Sequence, residues 1–491
     1  MPNEVNDSEI MSSNPKPKST FGRAISKAAN SPWIFFWVFS GTILCISIVV
    51  FFTPMDPIPT GQETPNVETK NPAAISPASL ENMRRELFPP VDQSTSVEQL
   101  QSELSSTAEL LMSQFPRSPE AYHVAAMIFS ELKQTQNAES AWRKCIEFRP
   151  TESGPYVGLA SLLMDKGGDE EAISLLEQLR GSSVRTGEVF SELARGLINL
   201  GELEKAKLIL DDGIREFPKE AGLWRNKGIL ETQVREFENA ELSLRRSIEL
   251  GDRTNSTVNA LVTVLMRNQK AEEANRIRQA NLVEKEVSES EKSDTFQIDY
   301  EIALRKVAVR LLRLSSAVAV KEIKFEMAER FLTRAISLIP NELECYMDLS
   351  SLFRKTKRLD KAIACQVELL DRQPENVLNY INLASVASQT GDFEFANRTL
   401  LNATKRFPEV PYPLGELARF ALAKGDFEGA RAWLAKAISL EPNNVEWYFM
   451  SAMVAKEKGN KEEFSLMMNQ ASKLAPNDPR LNHYRDPASN H

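Results

Sequence analysis

Residues 414–442, LGELARFALAKGDFEGARAWLAKAISLEP, carry two apolar runs at helical spacing, separated by Gly425-Asp426 and closed by Pro442. Residues 380–408, YINLASVASQTGDFEFANRTLLNATKRFP, have the same layout 34 positions earlier. Glycine opens the turn because it reaches backbone conformations closed to other residues, and proline ends the second helix because it cannot continue the hydrogen-bond ladder. Stepping outward by 34 recovers Ala430, Ala396, Ala362 and Ala328, with Phe464 beyond them. A second series holds Ala274, Ala240, Ala206, Ala172 and Ala138. An interval kept to the residue over this length marks a repeat array.

With those residues at position 20, position 4 is Tyr122, Tyr156, Phe190, Trp224, Tyr346, Tyr380, Leu414 and Tyr448, with the weaker Val258 and Leu312. Position 8 is Ala126, Ala160, Ala194, Gly228, Ala384, Ala418 and Ala452, and position 32 is Pro150, Pro218, Pro340, Pro374, Pro408, Pro442 and Pro476. Small residues at 8 and 20 let paired helices approach, and the large residue at 4 fills the remaining gap. The pattern resembles the tetratricopeptide repeat: an aromatic, then Leu and Gly or Ala, then Ala, a large residue, Ala and Pro. That resemblance implies an all-α, right-handed superhelical solenoid of ten helix pairs that binds proteins rather than catalysing a reaction.

Between Ala274 and Ala328 the interval is 54, so a charged insertion containing EKEVSESEKSD divides the array into two blocks of five repeats. The expected organisation is an N-terminal tail at 1–32, an apolar segment at 33–52, a Pro-rich flexible linker at 53–95 and a capping helix at 96–118. The first block follows at 119–281, the insertion and the start of an extended helix at 282–308, the second block at 309–478 and a tail at 479–491. Within the linker, SLENMRRELF sets Leu80, Met83, Leu87 and Phe88 on one helical face, either a short docking helix or a transient turn.

Trp33 to Phe52 is a run of twenty residues without a charge, long enough as a helix to span the ~30 Å hydrocarbon layer of a bilayer. Lys16, Lys18, Arg23 and Lys27 precede it, and Asp56, Glu63 and Glu68 follow, so the reading is an uncleaved single-pass anchor. The N-terminus is then cytoplasmic and the repeats extracytoplasmic, periplasmic in a bacterium. The net charge of -9 argues against a nucleic-acid partner, which needs a concentrated basic face. Four scattered cysteines and three histidines offer no local zinc motif, and no disulfide between Cys345 and Cys365 is expected. Phosphate loops, nucleophile elbows and HExxH are absent, so no cofactor and no catalytic residue is assigned.

In the family that the repeats resemble, the first helix of each repeat lines a concave groove through positions 2, 5, 6, 9, 12 and 13. Carried onto this sequence, those positions give Arg195, Asn199, Arg225, Asn226, Asn259 and Arg267 in repeats three to five. In the second block they give Arg310, Arg313, Arg354, Asn382, Ser385 and Arg419. Arg195 and Asn226 match part of the family's clamp for a C-terminal carboxylate, but Ser256 and Ala260 stand where it needs basic residues. The expected role is a scaffold for proteins or peptides. The alternative is a chaperone-like holdase using Met127, Met164, Ile229, Met266, Ile381, Phe449, Met450 and Met453, with an enzyme built on a composite site third.

Overall fold

The computed structural model describes residues 76–286 and 295–481, which form twenty-two α-helices and no strand. Two helices precede the repeats, α1 (Pro77–Leu87) and α2 (Val97–Gln114). The first block comprises α3 (Pro119–Glu131), α4 (Thr135–Phe148), α5 (Ser153–Asp165), α6 (Asp169–Arg180), α7 (Gly187–Asn199), α8 (Leu203–Glu216), α9 (Ala221–Gln233), α10 (Phe237–Glu249), α11 (Asn255–Arg267) and α12 (Ala271–Glu286). The second comprises α13 (Thr295–Lys321), α14 (Phe325–Leu338), α15 (Leu343–Lys355), α16 (Leu359–Arg372), α17 (Val377–Gln389), α18 (Phe393–Arg406), α19 (Tyr412–Ala423), α20 (Phe427–Leu440), α21 (Val445–Glu457) and α22 (Lys461–Leu474).

The repeat frame explains the packing. All nine position-20 alanines are fully buried, and at Gly228 an added Cβ would lie 2.6 Å from Leu244, so the helix pairs leave no room there for a larger residue. Position 15, the turn within each pair, is left-handed in all ten repeats: glycine in five, and Lys133, Arg235, Gln269, Ile323 and Lys357 in the rest. First helices of successive pairs touch, as α7 does α9 and α13 does α15, whereas second helices pack chiefly on first helices. The first helices therefore form the inner, concave surface.

The two blocks meet at their beginnings. Helix α13 packs on α2 and α3, and one apolar core runs from Leu87 to Leu230 and on through Leu304 to Phe420, while the far ends of both blocks hold separate clusters. Arg310 pairs with Glu131 at 2.8 Å and Lys321 with Glu120 across the junction. The two arrays thus diverge from a shared centre. At the distal end of the second block, Leu481 is fully buried and the Arg480 guanidinium lies 3.8 Å from the centre of the Phe449 ring.

Two expectations change. Of the two readings of SLENMRRELF within the expected flexible linker, the structure has the docking helix, α1 on α16, followed by an ordered strap to residue 95, because Leu80, Met83, Leu87 and Phe88 join the core. The single-pass membrane placement is corrected: among the described residues no helix is long and apolar enough to cross a membrane. Most are 11–16 residues with a polar face, and the 27-residue α13 carries Arg305, Lys306, Arg310 and Arg313. The expected anchor at 33–52 lies outside the described residues, as do the tails 1–32 and 482–491, so the repeats are assigned to no side of a bilayer.

Candidate functional site

The inner surface differs between the blocks because of two small residues. Ser191 at position 5 and Gly222 at position 2 of the following repeat bring α7 and α9 together: a Cβ on Gly222 would lie 2.6 Å from Ser191 Oγ. Asn226 is consequently 2 % exposed, and its amide donates to the Ser191 carbonyl at 2.7 Å and to Ser191 Oγ at 3.1 Å. The same places in repeats seven and eight hold Met347 and Leu378, 52 % and 58 % exposed, and Asn382 at the position of Asn226 stays exposed. Its side chain has no partner among the described residues.

Other donors expected to serve a ligand in the first block are used internally. Arg195 reaches Glu192 at 2.5 Å and Ser161 Oγ at 3.0 Å, and Asn199 donates to Asp169 at 2.7 Å. Arg225 donates at 2.9 Å to Asp252, which also accepts from Thr254 and Thr257. Burial works to raise the Asp252 pKa, but these donors outweigh it and hold the carboxyl below its ordinary value. Asn259 and Arg267 remain exposed. The partial carboxylate clamp is therefore not available: Arg195 and Asn226 both tie neighbouring first helices together.

In the second block Arg313 pairs with Asp348 at 2.8 Å and Arg419 with Glu416 at 3.3 Å, while Arg310 serves the junction. Arg354 is exposed and Ser385 half-buried. Glu192, Asp348 and Glu416 all stand at position 6, a neutralising row that attention to donors alone passes over. Burial raises the Glu416 pKa despite Arg419, and burial with Glu220 and Glu192 nearby pushes Glu188 up to about 7.

What remains open is a set of exposed residues on α15 and α17: Arg354 and Asn382, whose side chains have no partner among the described residues, on the same two helices as Met347 and Leu378. Nothing there is arranged as nucleophile and base, and no group of metal-binding side chains occurs among the described residues. The apolar set of the holdase reading is only partly available. Met164, Phe449 and Met450 are buried, Met127, Ile229 and Ile381 half-buried, and only Met266 and Met453 exposed. Cys145, Cys345 and Cys365 are free and buried, and burial pushes Cys145 and Cys345 up to about 12 and Cys365 upward as well, so none offers a thiolate.

No curated protein matches the chain. Among solved structures, yeast Tom70 is 13 % identical with a TM-score of 0.31, covering 77 % of this chain and 92 % of its own. A chain of the Cut9-Hcn1 hetero-tetramer of the APC/C is 14 % identical with a TM-score of 0.28, covering 78 % and 91 %. MamA from Desulfovibrio magneticus is 14 % identical with a TM-score of 0.30, covering 35 % and 97 %. Family models described as tetratricopeptide repeats match residues 119–152 and 343–376, residues 381–445 and residues 421–483. These matches fall in both blocks, those at 119–152 and 343–376 each spanning one repeat of the frame that the buried alanines define, and the chain carries tetratricopeptide repeats.

Proposed function

We propose that the chain is a protein-interaction scaffold that holds an extended peptide or protein segment on the inner surface of its second block, across repeats seven to nine. The observation that supports this most is the contrast between Asn226 and Asn382: one is consumed in packing, the other is exposed, as are Arg354, Met347 and Leu378 on the same two helices. An amide and a guanidinium satisfy a peptide backbone or a carboxylate, and a flexible methionine with a leucine accommodates an apolar side chain. Ser385 and Arg419 extend the same surface, whereas in the first block Asn259 and Arg267 are the exposed members. A holdase for unfolded chains needs a broad apolar surface, and the burial of Met164, Phe449 and Met450 counts against it.

Site-specific photo-crosslinking in intact cells tests the reading, with the crosslinker placed at Met347 or Leu378 and, as an outer-surface control, at Leu208, which is 67 % exposed. One discrete adduct from the inner positions, lost on Arg354→Glu with Asn382→Ala, is expected. Equal adducts from Leu208, or a broad smear of nascent chains, would reject the scaffold reading.

A further inference from the structure

We propose that residues 77–88 are a built-in ligand of repeat seven, recognised as a short amphipathic helix with Arg four residues before Phe. In repeats one, three and eight the aromatic at position 4 packs against a phenylalanine at the end of the same repeat: Tyr122 on Phe148, Phe190 on Phe217 and Tyr380 on Phe407, with ring centres 5.6 to 5.9 Å apart. Repeat seven has Arg372 and Gln373 at that place, and the Arg372 guanidinium covers one side of Tyr346, 5.1 Å from the ring centre, while pairing with Glu368 at 2.8 Å. Phe88 supplies it from outside, edge-on to Tyr346 at 5.1 Å, and Tyr346 is 1 % exposed. Arg84, one helical turn earlier, reaches Glu368 at 2.5 Å and Asp371 at 2.8 Å on α16. The edge of Tyr346 left open by Arg372 and an acidic pair, spaced to match one segment, constitute a recognition site.

The same segment continues along the seam between the two blocks. Beyond Phe88 the strap runs over α14 and α13, where the Asp92 amide donates to the Ser337 carbonyl at 2.8 Å and Arg334 reaches Asp92 at 2.6 Å and Glu103 at 2.8 Å. Arg305 donates to the Asp92 and Thr95 carbonyls at 2.7 and 3.0 Å. The strap then enters α2, which packs on α3 and α13. Helix α1 is 11 residues long, too short to persist alone, and Leu87 is the one buried apolar side chain among those described on it, so it lies at the low-stability end of the molecule. It leaves without unfolding either block. The site is formed by α16 and by the buried Tyr346 of α15 and uses none of Met347, Arg354, Leu378 or Asn382, so it stands or falls independently of the proposed groove.

The test uses the full chain carrying Arg84→Ala with Phe88→Ala, the unmodified chain, and a fluorescein-labelled synthetic peptide of residues 76–96. Trypsin is expected to cut after Arg85 about tenfold faster in the substituted chain, the factor that ~1.4 kcal/mol supplies. The peptide is expected to bind the substituted chain at least about tenfold more tightly than the unmodified one, and a Phe88→Ala peptide is expected to lose that binding. A second chain, Glu368→Gln with Asp371→Asn, alters only the receiving surface; it should release the strap to trypsin and bind the peptide poorly. Unchanged cleavage in both chains, or equal peptide binding to substituted and unmodified chains, overturns the proposal. A concentration-dependent dimer of the unmodified chain that dissociates on adding peptide would also overturn it, by placing the strap on a second copy.

Discussion

Asn226 and Asn382 occupy the same position in their repeats, and what surrounds them decides their roles. Removing the Asn226 amide leaves the Ser191 carbonyl region without its buried donor, so Asn226→Ala should lower stability by about 1–3 kcal/mol in urea unfolding. Asn382→Ala should change stability by less than about 0.5 kcal/mol and weaken only ligand capture. Glu188 makes a different prediction. With its pKa raised to about 7, the folded protein retains a proton that the unfolded chain has lost between the ordinary glutamate value and 7. Stability therefore falls as pH rises through that window, and the penalty is complete above it. Glu188→Gln should raise the melting temperature at pH 8 and leave it nearly unchanged at pH 4, an effect on the order of 1 kcal/mol after allowance for the partial exposure of the group. A larger gain at pH 4 than at pH 8 would contradict the assigned cause.

At the scale of the helix pair, the left-handed residue at position 15 is the shared device. Glycine adopts it freely; Ile323, with φ of 60°, does so against its branched Cβ, and its side chain is 72 % exposed with little packing to compensate. Ile323→Gly should stabilise the protein by about 1 kcal/mol, read as a rise in melting temperature, and a fall would show that Ile323 makes contacts worth more than its strain. The same turn shows how far the sequence can be read. Gly167, Gly201, Gly391, Gly425 and Gly459 announce it, but Lys133 or Gln269 in the same conformation carry no signal, because the helices on either side impose it. Likewise the groove frame assigns Asn226 and Arg195 to first helices, yet their availability depends on Ser191, Gly222 and Glu192. That is a question of how closely two helices approach, which spacing alone does not contain.

At the scale of the molecule, the period is local and legible, whereas the meeting of the two blocks rests on pairs such as Arg310 with Glu131, 179 residues apart, for which no period exists. The consequence is a molecule with two arms that share a centre, rather than one continuous array, and charge holds part of that centre. Glu120 faces Lys321 and Arg149, and Glu131 faces Arg310. Exposed pairs of this kind contribute at most about 1 kcal/mol each, but reversing them sets like charges against one another at the contact. Glu120→Lys with Glu131→Lys should therefore increase the radius of gyration in small-angle scattering while leaving the helical circular dichroism unchanged, with the increase largest at low salt. Adding Lys321→Glu and Arg310→Glu to the same chain restores opposite charges across the contact and should return the radius of gyration toward its original value. If the reversed chain keeps its original dimensions, or if the compensating pair fails to close it while the repeats remain helical, the arms are not joined through α3 and α13.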